Sequence, residues 1–204
     1  PRLGTNAVVA NPDESAALEH AWKAALDPAT AVAGRALAAS ILCGQRRWDD
    51  VITALSAPGP WTSDPSCRNF EAIARFMLGQ KKAAAQLAQG TLEIDPLDPF
   101  ALGLLWLAEP GKASPFLVGS GREAEETLEL AGQFLSIKQH ELAAKVLACY
   151  LNRVPAERRS LLANYWGAFL AESLSAHLKE SLKTSDVARV VRPSEALYPY
   201  RPED

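Results

Sequence analysis

The stretch from Ala72 to Pro96, AIARFMLGQKKAAAQLAQGTLEIDP, decides the fold, because its plan returns between Ala131 and Pro155 as AGQFLSIKQHELAAKVLACYLNRVP. An alanine opens each copy, a phenylalanine follows (Phe76, Phe134), a second alanine recurs (Ala84, Ala143), and a leucine (Leu92, Leu151) precedes the closing proline. The interval from first alanine to proline is 24 residues in both. A third start follows at Leu162, Ala163 and Trp166. Small and large residues that return in this order, punctuated by glycine and proline, predict a stack of helix pairs rather than a globule wrapped around a catalytic centre.

Outward from that stretch the periodicity stays helical. Helices are expected at 13–26, closed by Asp27-Pro28, and at 31–42, with Gly44 as the break; Trp48, Val51, Ile52 and Leu55 at i, i+3, i+4, i+7 give the next its apolar stripe. Residues 56–65 read as a loop, followed by helices at 67–78 and 81–94 with Gly79 at the turn. Pro99 sits in the first turn of a short apolar helix over 100–108, where its missing N–H costs nothing. Leu128, Ala131, Phe134 and Leu135 line one helix of the second half, and Leu142, Ala143, Val146, Leu147, Tyr150 and Leu151 line the next. Leu161 to Leu174 line a third, and a last helix is expected over 177–191. The expected organisation is one helical-repeat domain over 1–204 with a possible joint at 109–121, where Pro110, Gly111, Pro115, Gly119 and Gly121 interrupt the pattern. The only methionine is Met77, which reads as a piece cut from a longer protein.

Composition narrows the function classes. A net charge of −3 without a lysine or arginine cluster argues against nucleic acid as a partner. No apolar run reaches the roughly 18 residues of a membrane span, so no membrane partner is expected. Cys43, Cys67 and Cys149 are odd in number and set in apolar helical context, which reads as buried thiols in a reducing compartment and gives a cytoplasmic expectation. They form no CxxC pair, and His20, His140 and His177 have no ligand spacing, so neither metal nor cofactor is expected. Glu125, Glu126 and Glu129 read as a solvated acidic first turn rather than a catalytic carboxylate pair. Gly119-Ser120-Gly121 follows no predicted strand, which removes a phosphate loop or nucleophile elbow. Trp48 and Trp166 fall on core stripes, while Trp61, between Pro60 and Thr62, is expected to fold back over a helix end.

These positions resemble tetratricopeptide repeats, helix-turn-helix units of about 34 residues. Ala72 and Ala131 match the sites of closest helix approach, Phe134 and Trp166 the aromatic slot, Gly79 the turn, Ala84 and Ala143 the crossing, and Pro96 and Pro155 the close. The pair over 33–60 carries Val51 where a small alanine is usual, and Thr91 and Tyr150 also replace small residues. The resemblance implies an all-α fold, a right-handed α-solenoid of antiparallel helix pairs. It also implies that the first helix of each unit faces a concave groove, placing Asn69, Ile73, Glu125, Leu128, Ser160 and Asn164 along one binding surface.

The order Asp95-Pro-Leu-Asp-Pro-Phe-Ala, Leu130-Ala-Gly-Gln-Phe, Ala144-Lys-Val-Leu and Tyr198-Pro-Tyr-Arg-Pro-Glu-Asp is similar to the repeat region of large bacterial proteins that carry a β-sandwich domain of unknown function. Two functions are expected from these readings. The first is a non-catalytic protein interaction or scaffold module that takes a protein or peptide ligand in its groove. The alternative is an accessory helical domain that packs on the remaining domains of a carbohydrate-acting or carbohydrate-binding parent.

Overall fold

The computed structural model of the chain describes residues 12–109, 111 and 122–153. Among them every regular element is helical: eight α-helices, one 3-10 turn and no strand. The chain divides into two compact units, Pro1–Pro110 and Gly111–Asp204, and the division falls inside the 109–121 interval. The stripe at 161–174, the helix at 177–191 and the end at 198–204 lie outside the described residues, as do Ser160 and Asn164.

The first unit begins with α1 (Pro12–Leu26), which carries Asp13 and Glu14 in its first turn and Lys23 in its last, signs that suit the helix dipole. Asp27 ends it by accepting the Ala29 N–H at 2.9 Å, and the Thr30 hydroxyl donates back to the Ala24 carbonyl at 2.8 Å. Then α2 (Ala31–Gly44) packs against α1 and buries the small residues Ala31, Gly34 and Ala38. A Cβ on Gly34 would lie 2.5 Å from the Ala25 nitrogen and 2.8 Å from the Ala21 oxygen, so the two backbones touch where this glycine sits.

Next come α3 (Trp48–Ser56), a 3-10 turn (Pro60–Ser63), α4 (Pro65–Met77), α5 (Lys81–Leu92) and α6 (Pro99–Ala108). Asp64 caps α4 by accepting the Cys67 N–H at 2.9 Å, and Asp98 caps α6 by accepting the Ala101 N–H at 2.8 Å; each helix has proline in its first turn. Helices adjacent in the chain pack together throughout the unit, and α4 also packs against both α2 and α6. In the second unit α7 (Glu123–Ser136) packs against α8 (His140–Arg153).

One turn geometry recurs three times. The junctions α2–α3, α4–α5 and α7–α8 each place a single residue in the left-handed region: Arg46 (φ 58°), Gly79 (φ 79°) and Lys138 (φ 56°). The next N–H then reaches back five residues, Arg47 to the Leu42 carbonyl, Gln80 to Arg75 and Gln139 to Phe134, at 2.8–2.9 Å. These bonds satisfy carbonyls that a helix end leaves unpaired. The following helix starts two residues after the left-handed position in every case.

Burial keeps the same register. Seven residues before the left-handed position stand Ala39, Ala72 and Ala131, and five after it stand Val51, Ala84 and Ala143, all six at 0 % exposure. The phase of α7 differs from the sequence reading. Its buried stripe is Thr127, Leu130, Ala131 and Phe134, with Leu128 and Leu135 half-buried, because leucine occurs on both faces and packing against α8 selects one.

Candidate interaction cleft

Within the first unit a cleft of about 560 Å3 opens between α3 with its 3-10 turn, α4 and α5. That volume lies within the roughly 300–1,000 Å3 of clefts that hold small ligands or anchoring side chains. Leu55, Trp61 and Leu87 give it apolar wall; Ser56, Arg68, Glu71, Arg75, Gln86 and Glu93 give it polar wall.

Two arginines about two helical turns apart on α4 are held in different ways. Arg75 forms an i, i+4 pair with Glu71, whose Oε1 accepts both Nε at 2.8 Å and Nη2 at 2.6 Å. The Ser56 hydroxyl donates to the same Oε1 at 3.0 Å, and Arg75 Nη1 donates to Gln80 Oε1 at 3.0 Å. This ion pair is internally neutral and largely buried. Arg68 instead donates Nε to the Thr62 carbonyl at 2.8 Å and Nη1 to the Gly90 carbonyl at 2.9 Å. It thereby ties the 3-10 turn and the last turn of α5 to α4, with its positive charge next to unpaired helix-end carbonyls.

Trp61 folds back, as the loop position leads one to expect. Its Nε1 donates to the Ala57 carbonyl at 2.9 Å, and the Arg35 guanidinium lies 3.6 Å from the ring centroid. Trp22 approaches the same guanidinium at 5.9 Å, and Arg35 also donates to the Ala54 carbonyl. A tryptophan face over a partly desolvated guanidinium is favourable by about 1 kcal/mol. A Cβ on Gly59 would meet the Trp61 ring at 2.3 Å, so glycine is needed where the ring lies down.

Cys67 lines the cleft floor but is fully buried, and burial, with the neighbouring Asp64 carboxylate, pushes its thiol up to about 12. At neutral pH it is a thiol, not a nucleophilic thiolate. Among the described residues no three metal-binding side chains come together, and no helix is long and apolar enough to cross a membrane.

Of the six groove residues read from the sequence, Ser160 and Asn164 lie outside the described residues, and neither Asn69 nor Ile73 lines this cleft. Ile73 is fully buried, and Asn69 is 5 % exposed with its Nδ2 donating to both Asp98 oxygens at 3.1 and 3.0 Å. Both are therefore core positions rather than open groove positions, in a helix that packs against α2, α3, α5 and α6. In the second unit Glu125 is exposed and pairs with Arg122 at 3.3 Å, while Leu128 is half-buried. Of the residues that line the cleft, Leu55, Trp61 and Cys67 stand out in the sequence but not as binding residues, and Arg68, Glu71 and Arg75 do not stand out. Two signals for them exist there: Glu71 and Arg75 at i, i+4, and Gly90 isolated inside a helical pattern. Set against known proteins, the chain matches no family, no curated protein and no solved structure.

Proposed function

We propose that the chain is a non-catalytic interaction module, a right-handed solenoid of antiparallel, tetratricopeptide-like helix pairs that binds an extended segment of a partner protein. The recurring junction is the observation that carries this reading: three junctions share one turn geometry and one register of fully buried residues. Short connections between packed neighbours favour opposed helix directions, and the contacts of α4 with α2 and α6 suit hairpins stacked in series. In such arrays each unit meets only its neighbours, so the spaces between helices stay open along the side. The cleft between α3, α4 and α5 is one such space, with apolar wall for affinity and fixed polar groups for orientation.

Panning the intact chain against a display library of random short peptides tests the proposal. Enriched peptides should compete with one another and lose binding when Gln86→Trp fills the cleft mouth from an exposed position. Glu19→Gln, on the exposed surface of α1, should leave them bound. A library that enriches nothing, or peptides indifferent to Gln86→Trp, refutes it.

A further inference from the structure

We infer that the cleft selects an acidic side chain of the bound segment and seats its carboxylate on Arg68. This rests on the interaction-module reading and names the chemistry of the partner. The cleft is lined by two arginines and two glutamates, and of these only Arg75 and Glu71 form an ion pair. Glu71 is committed to Arg75 and Ser56, with the ion pair at 2.6 Å and both side chains mostly out of water. Arg68 has two carbonyl partners and no ion pair, so its Nη2 carries charge and donors that no described group takes up. A carbonyl neutralises only part of a guanidinium charge, whereas a carboxylate accepts from it in a charge-assisted bond about twice as strong as a neutral one.

The fork is also held ready. Thr62 and Gly90 fix two of its nitrogens, so little rotamer freedom is left to lose when an anion arrives. Gly90 adds an independent observation. It lies within α5, where glycine is a poorer helix former than alanine. A Cβ there would stand 3.3 Å from Arg68 Nη1, so the glycine keeps open the space that the guanidinium occupies. Beside this fork, Leu55, Trp61 and Leu87 suit an apolar residue next to the acid. Glu93 is the competing group: an exposed carboxylate on the same cleft that forms no ion pair with Arg68. It repels an incoming acid and disfavours it relative to a neutral ligand. Removing it therefore strengthens acid binding wherever in the cleft the carboxylate sits, so the seat on Arg68 is decided at Arg68 itself.

The test uses two end-blocked, fluorescein-labelled peptide sets, one with glutamate fixed beside leucine and one with glutamine in its place. Binding to the intact chain is read by anisotropy. The glutamate set should bind about tenfold more tightly at low salt, and the advantage should shrink as salt screens it. Glu93→Gln should widen the advantage, and Arg68→Gln should abolish it. If Arg68→Gln melts early through loss of its two carbonyl bonds, the guanidinium NMR signal of Arg68 in the unaltered chain decides instead: it should move with the glutamate set and stay with the glutamine set, and an unmoved signal overturns the seat on Arg68. A third set, with glutamine inside and a free C-terminus, separates a terminal carboxylate from a side chain; preference for it overturns the assignment. Equal binding of the glutamate and glutamine sets overturns the acidic assignment and leaves the interaction module standing. Absence of binding by all three sets, while panned peptides still bind, overturns it too.

Discussion

Replacing Gly34 with alanine asks whether α1 and α2 are in contact at their backbones. The new methyl would sit 2.5 Å from the Ala25 nitrogen, 2.8 Å from the Ala21 oxygen and 2.8 Å from the Ala24 carbonyl carbon. To reach ordinary contact at 3.4 Å the helices must part by up to about 0.9 Å. Every atom met belongs to backbone, so no side chain can rotate away and the whole of α1 must shift. Overpacking of this kind costs about 1–3 kcal/mol, and the better helix propensity of alanine returns about 1 kcal/mol. The upper half of the range applies because the obstacle is a helix rather than a side-chain tip, which leaves a net loss of about 1–2 kcal/mol.

Gly132→Ala is the internal control. Gly132 lies inside α7, is exposed, and has nothing within 4 Å of the added methyl. The same chemical change should there stabilise by about 0.5–1 kcal/mol. Urea titration followed by circular dichroism reads both, and amide exchange in α1 and α7 assigns each effect to its unit. Opposite signs are expected. A neutral or stabilising Gly34→Ala, alongside a stabilising Gly132→Ala, would refute the close crossing of α1 and α2.

Further outcomes follow from other parts of the molecule. Ala143→Leu, at a 0 % exposed position in the α7–α8 crossing, should destabilise by about 1–3 kcal/mol, read as a lower Tm, while Lys145→Leu on the exposed face should change it little. Lys138→Gly and Arg46→Gly should each stabilise by about 0.5–1 kcal/mol in urea, since the relief of a left-handed side chain exceeds the entropy cost of glycine. Asp98→Ala removes the cap of α6 and strands the buried Asn69 amide, for a loss of about 2–3 kcal/mol by the same assay; Asp98→Asn, which still accepts, should recover most of it. Burial pushes the Cys43 thiol up to about 12 from 9.0, so the fold holds the proton that the unfolded chain releases first. Its stabilisation is complete below pH 9 and lost as pH rises towards 12. Between pH 7 and 10 the unaltered chain should lose about 1 kcal/mol more than Cys43→Ala, measured by denaturant titration at each pH.

Punctuation makes the helix ends legible in the sequence. Asp27-Pro28 closes α1, Gly79 turns α4 into α5, and Pro99 opens α6, because proline and glycine act on the local backbone whatever surrounds them. Side-chain destinations are less legible. Asn69 and Ile73 read as available because a single helix face says nothing about how many neighbours cover it, and α4 meets four other helices. The Arg68 clamp depends on Gly90, 22 residues away, and the Trp61 stack depends on Arg35 across two helices. Neither pairing has a period by which a sequence could announce it.

The recurring turn points to the residues that set the junctions. Its left-handed position holds arginine, glycine and lysine in turn, and only glycine suits that backbone. If the turn residue dictated the junction, Arg46 and Lys138 would favour other connections, since each is strained by roughly 1 kcal/mol where it stands. What the three junctions share is the fully buried alanine seven residues earlier and a fully buried alanine or valine five residues later. Those two positions bring the helices close enough to exclude water along their length, a gain spread over many contacts that exceeds the strain at one φ angle. The turn therefore follows from the crossing. Exchanging the turn residues among the three junctions should shift stability by about 1 kcal/mol at most and leave the helical content seen by circular dichroism unchanged, whereas enlarging Ala39, Ala72 or Ala131 to leucine should reduce it.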